Sequence, residues 1–215
     1  MVFVRQLCLI GLLLTLAGCQ SAYYSAMESV GTHKRDIMVD RVEGAKESQR
    51  DAQEQFKSAL EQLSELIDFE GGDLQQQYEI TLENYEDSQD AADDVSDRID
   101  SIEDVSEALF DEWQDEIGQY SSKNLQRQSQ AKLTETQRNY DKLMKTMRRA
   151  EKSMQPVLAA LKDNMLYLKH NLNAKAVGQL QGEYASIKAD VDVLIEHMND
   201  SIMQSQTFIN QIENQ

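Results

Sequence analysis

The sequence predicts an all-α protein: an elongated antiparallel four-helix bundle, or a pair of coiled-coil hairpins, behind a cleaved N-terminal signal helix. Three observations predict it. A single proline and nine glycines in 215 residues leave too few breakers for many short strands and turns. Four stretches carry apolar residues at steps of three and four, the spacing that lines one face of a helix. The breaks between them are short, and no low-complexity linker marks a domain boundary.

The chain opens with Arg5, an apolar run from Leu7 to Leu16, and the tetrapeptide Leu16-Ala17-Gly18-Cys19. A positive residue before about ten apolar ones is the pattern of an export signal. A membrane-spanning helix needs about twenty apolar residues, and Gln20 and Ser21 arrive too early for that. Residues 1–18 are therefore expected to leave as a signal peptide. The resemblance of the tetrapeptide to lipoprotein signals implies that Cys19 is acylated, with palmitate as the expected label. At about 0.8 kcal/mol per buried CH2, two or three acyl chains make the tether permanent. Gln20 rather than an aspartate follows the cysteine, which in the enterobacterial sorting rule favours the outer membrane, facing the periplasm. The other cysteine, Cys8, leaves with the signal, so the mature chain can form no internal disulfide. Residues 19–25 form the tether. Tyr23 and Tyr24 within it either sit at the lipid interface, as amphipathic rings do, or pack on the base of the bundle.

Residues 26–215 read as one long-helix domain. The first helix, 26–67, carries Met38, Val42, Ala45, Gln49, Ala52, Phe56, Ala59, Leu63 and Leu66. Gly71 and Gly72 end it, and Asp73 can cap the next. The second, 74–117, aligns Tyr78, Leu82, Tyr85, Gln89, Ala92, Val95, Ile99, Ile102, Ser106, Leu109, Trp113 and Ile117, with Asp and Glu crowding its other face. Residues 118–121 make the reversal. The third, 122–172, runs from Leu125 through Ser129, Leu133, Thr136, Tyr140, Leu143, Met147, Ala150, Met154, Val157, Leu161, Met165 and Leu168 to Leu172. Its phase survives Pro156, which predicts a kink; a break with Ser153 capping a new helix is the alternative. Asn173 is the candidate cap of the fourth helix, 174–213, which aligns Val177, Leu180, Tyr184, Ile187, Val191, Leu194, Met198, Ile202, Ser205, Ile209 and Ile212.

Short loops make neighbouring helices antiparallel, so both termini share one end with the turn near Ser121. The charge supports the second and third helices as hairpin partners. Residues 51–122 hold 23 acidic side chains against Lys57 and Arg98, whereas residues 123–175 hold 12 basic against four acidic. The basic cluster His33, Lys34, Arg35, Arg41 and Lys46 is expected to pair with Asp111, Glu112, Asp115 and Glu116, with lipid head groups as the other partner weighed.

The formal net charge of -17 excludes nucleic acid, whose binding needs a basic surface. His33, His170 and His197 lack a Glu three positions earlier, so no Glu-x-x-His metal pair exists, and they are expected to be solvated or capping. Asp90, Asp93, Asp94, Asp97 and Asp100 lack the alternate-residue ligands and glycine of a calcium loop. They read as a solvated helix face that can meet a basic partner. Met144, Met147, Met154 and Met165 read as core. No nucleophile elbow, phosphate loop or Cys-x-x-Cys pair is present, so the sequence predicts no enzyme, cofactor or metal.

The run from Tyr23 to Asp36, with Met154-Gln155-Pro156-Val157-Leu158 and Leu168-Lys169-His170-Asn171-Leu172-Asn173-Ala174, resembles an uncharacterised family of proteobacterial lipoproteins, the domain of unknown function twenty-nine fifty-nine. The resemblance implies export and an all-helical domain, and carries no activity onto any residue. The functional expectation is a membrane-anchored helical scaffold or adaptor for another envelope protein, with self-association left open. The alternative is a carrier of a lipid or other hydrophobic ligand within the bundle.

Overall fold

The computed structural model describes Tyr24, Met27 and residues 33–67, 74–171 and 174–214. Four helices account for nearly all of them: α1 (Lys34–Ile67), α2 (Leu74–Gln119), α3 (Lys123–His170) and α4 (Ala174–Glu213). Each packs against its chain neighbours, α1 closes on α4, and the diagonal pairs barely touch. The result is an up-down-up-down ring around one core. The predicted signal, Cys19, Tyr23, the predicted loop at 68–73, Leu172, Asn173 and the Val177 side chain lie outside the described residues.

Local chemistry sets the helix ends. The Asp36 carboxylate accepts the backbone N–H of His33 at 3.2 Å, while the His33 carbonyl accepts from Asp36 and Ile37. That is half of a capping box, and it starts α1 at Lys34 rather than at residue 26. Ser122 Oγ accepts from the Leu125 N–H and caps α3, so the reversal is centred on Tyr120 and Ser121 and Gly118 stays helical. Lys169 and His170 lie in the last turn of α3, where cations meet the helix dipole favourably. Pro156 sits within α3 without breaking it. Ser153 Oγ donates to the Ala150 carbonyl inside the helix, so the alternative of a new helix capped by Ser153 is overturned.

The core follows a strict alternation of three and four. All nine predicted α1 positions are buried. In α2 the seam runs Ser88, Ala92, Val95, Ile99, Ile102, Ser106 and Leu109, and in α3 it runs Leu143, Met147, Ala150, Met154, Val157, Leu161, Asn164 and Leu168. In α4 it runs Leu180, Tyr184, Ile187, Val191, Leu194, Met198, Ser201, Ser205, Phe208 and Ile212, with Tyr184 only half-buried. A repeat of 3.5 residues sustained this far is the period of a left-handed supercoil. Four positions differ from the sequence prediction. The spacing predicts Gln89, Met165, Ile202 and Ile209, whereas Ser88, Asn164, Ser201 and Phe208 occupy the seam; Gln89 and Ile202 are half-buried, and Met165 and Ile209 are buried beside it. At Asn164 and Ser201 a polar residue stands on the true seam and the apolar residue one step on draws the expected phase with it, whereas Gln89 follows from a step of four after Tyr85. Val105, Leu158 and Ile209 are also buried, because each helix faces two neighbours and needs a stripe wider than two positions per heptad.

Candidate functional site

The acidic face predicted on α2 divides in three. Asp94 turns toward α1, accepting from Ser48 Oγ at 2.6 Å, and also pairs with Arg98. Asp100 turns toward α3, where Arg148 Nη2 reaches it at 2.6 Å and Glu103 at 2.8 Å, while Nη1 holds Glu151 at 3.0 Å. Burial works against the Arg148 charge, but the bonds to Glu103, Asp100 and Glu151 outweigh it and hold the guanidinium above its ordinary value. Asp90, Asp93 and Asp97 remain outward, and among the described residues only Asp93 has a side-chain partner, the Gln89 amide. The outward carboxylates are thus a solvated stripe, and the hinge of charge between α2 and α3 is Arg148.

The basic cluster also divides. Lys34 pairs with Glu112 at 3.1 Å, as predicted. Arg41 instead donates to the Ser101 carbonyl and to Tyr24 Oη. Lys46 is buried at the α1–α4 contact, where it holds Glu43 and Gln206. Tyr24 is the residue that sequence reasoning placed least well. Its ring is 3% exposed, with Lys34 and Arg41 both within 6 Å of its centroid. A helix continued straight back from Arg41 to residue 24 would separate the two by about 25 Å. Tyr24, itself helical, therefore lies beside α1 rather than on the base of the bundle.

The helices do not end level. Lys34, the first residue of α1, is opposite Glu112, yet α2 continues to Gln119, about 10 Å further. Glu213, at the end of α4, lies near Arg35 and Asp36. The α2–α3 hairpin thus projects past the other two helices. Its projecting part is held by Trp113 Nε1 donating to Ser129 Oγ at 2.9 Å and by Gln126 Nε2 donating to the Ile117 carbonyl at 3.2 Å. Where the walls of α1 and α4 stop, a cleft of about 590 Å³ opens. The start of α1 gives it His33, Lys34 and Arg35; α2 gives Leu109, Glu112, Trp113 and Glu116, with Tyr120 beyond its end; and α3 gives Gln128, Ser129 and Lys132. The α2 residues recur at steps of three and four, so one helix face lines the cleft.

The interior is tighter among the described residues. The cavity between Ala59, Leu63, Thr81, Asn84, Leu161 and Asn164 measures about 10 Å³, enough for one water beside the unpaired Asn164 Nδ2. Gln49 is fully buried with both amide atoms unpaired, as is the Ser201 hydroxyl. The bonds from Lys46 to Gln206 and from Gln53 to Asn199 bracket these two side chains at one height of the α1–α4 contact. Sequence spacing could have found this polar layer, since Gln49 and Ser201 both fall on the strict seam. His33 and His170 are exposed at opposite ends, and His197 is half-buried with Nδ1 unpaired. Among the described residues no cluster of His, Cys, Asp and Glu could hold a metal ion, and no helix is long and apolar enough to cross a membrane.

Comparison with known proteins places these features in a family. A model described as "Protein of unknown function (DUF2959)" matches residues 23–212, and the chain belongs to that family. No curated protein and no solved structure matches it.

Proposed function

We propose that the protein is a lipoprotein of the bacterial envelope, anchored through Cys19 to the outer membrane and facing the periplasm, where its bundle serves as a scaffold or adaptor for another envelope protein. The observation that carries the anchor is Leu16-Ala17-Gly18-Cys19 directly after an apolar run too short to span a bilayer. Tyr24 supports it from the folded side. Its buried ring fixes the chain five residues after Cys19, so an acylated Cys19 holds the bundle within about 18 Å of that point.

The filled core supports a scaffold over a carrier. From Met38 to Ile212 the seams close on one another, and a space of about 10 Å³ admits no acyl chain. A carrier role would require the helices to part along their length. The outward Asp90, Asp93 and Asp97 favour a partner with basic character and association that weakens with salt.

Radiolabelled palmitate should enter the protein and be absent from Cys19→Ser, which should also leave the membrane fraction. Unlabelled wild type would end the lipoprotein reading. Charge reversal at Asp90, Asp93 and Asp97 together should reduce recovery of a protein crosslinked in cells; unchanged recovery would remove the acidic stripe from the contact.

A further inference from the structure

The cleft at the α1 end combines the size of a ligand site with interleaved charges of both signs. Arg35 and Lys132 approach it from α1 and α3, and Glu116 approaches from α2. Arg35 and Glu116 have no ion-pair partner among the described residues, and Lys132 holds only its exposed neighbour Glu135 at 3.3 Å. An anion alone would be repelled by Glu116, and a cation alone by Arg35 and Lys132. A zwitterion satisfies both sets. Trp113 and Tyr120 add two rings of the kind that sit at membrane interfaces. The cleft is also close to the anchor, since Tyr24 rests on Lys34, which lines it.

We propose that this cleft is a headgroup site for phosphatidylethanolamine: Arg35 and Lys132 hold the phosphate, Glu116 accepts from the ammonium, and Trp113 and Tyr120 lie against the glycerol. The proposal rests on the anchored reading above, which brings the bilayer to this end. Ethanolamine is selected over choline because a quaternary ammonium has no N–H to donate to Glu116. A short tether supplies headgroups at millimolar effective concentration, so a millimolar site is occupied in the membrane.

Trp113 is the chain's one tryptophan, so its emission reports the cleft alone. Full-length protein in non-ionic detergent is titrated with glycerophosphoethanolamine, glycerophosphocholine and glycerophosphoglycerol. The expected result is a saturable shift at millimolar glycerophosphoethanolamine, roughly tenfold weaker with the other two, and weakened to a similar extent by Arg35→Ala with Lys132→Ala and by Glu116→Gln. In phosphatidylcholine nanodiscs, adding phosphatidylethanolamine should reproduce the shift. No saturation, equal response to all three headgroups, or variants that respond like wild type would overturn the site; a response to the free headgroup that nanodiscs holding the protein do not reproduce would overturn its lipid source. The mass of the purified N-terminus is measured in parallel: an unacylated Cys19 overturns the anchored reading, while the soluble titration still decides the cleft.

Discussion

Leu125 and Leu133 stand eight residues apart on the same stripe of α3, yet Leu125 is 50% exposed and Leu133 is 1% exposed. The first lies in the hairpin that projects past α1 and α4, the second where the fourth wall begins to close. The same periodicity therefore gives a dry core in one region and a cleft wall in the other. Burial is a property of the neighbours a helix meets, and the projecting hairpin has lost two of them.

The sharpest way to break the comparison is to truncate one side chain in each region and follow urea unfolding. Phe56→Ala, in the closed core, should cost about 3–5 kcal/mol, and Leu125→Ala less than about 0.5. A large loss at Leu125 would mean that something covers the hairpin tip. Next in size is Pro156→Ala. Proline in a helix interior is about 3 kcal/mol worse than alanine, partly offset by its stiffening of the unfolded chain. The exchange should stabilise the exposed position by about 2 kcal/mol, read as a higher urea midpoint at unchanged slope.

Within the closed region the unpaired polar layer sharpens the contrast further. Gln49→Leu removes two unpaired buried atoms and should stabilise by about 1–2 kcal/mol; a loss of stability would reveal that ordered water satisfies the amide. A smaller effect is expected at Arg148, which ties α2 to α3 through partly exposed carboxylates. Arg148→Ala should cost about 1 kcal/mol at low salt, and the difference from wild type should shrink as salt is added.

Much of this was legible in the residues. The steps of three and four located the four long helices of the described residues, and the α4 limits of 174 and 213 agree with the structure. The start of α1 was misplaced because apolar spacing says little about a first turn, although Asp36 three residues after His33 is a readable cap. The one-residue phase slips at Asn164 and Ser201 come from the apolar neighbours Met165 and Ile202 standing beside polar seam residues. The acidic stripe was legible as a stripe. That Asp94 and Asp100 are bound to α1 and α3, while Asp90 and Asp97 are not, depends on partners 46 and 48 residues away.

By itself the sequence determined the four long helices of the described residues and most of their apolar seams, because helix formation and seam phase depend on residues within a few turns of one another. The tertiary structure alone decided that α2 and α3 outrun α1 and α4, that Tyr24 lies back along α1, and that a cleft of mixed charge opens beside it. These depend on the axial offset between helices distant in the chain, and no local pattern encodes an offset.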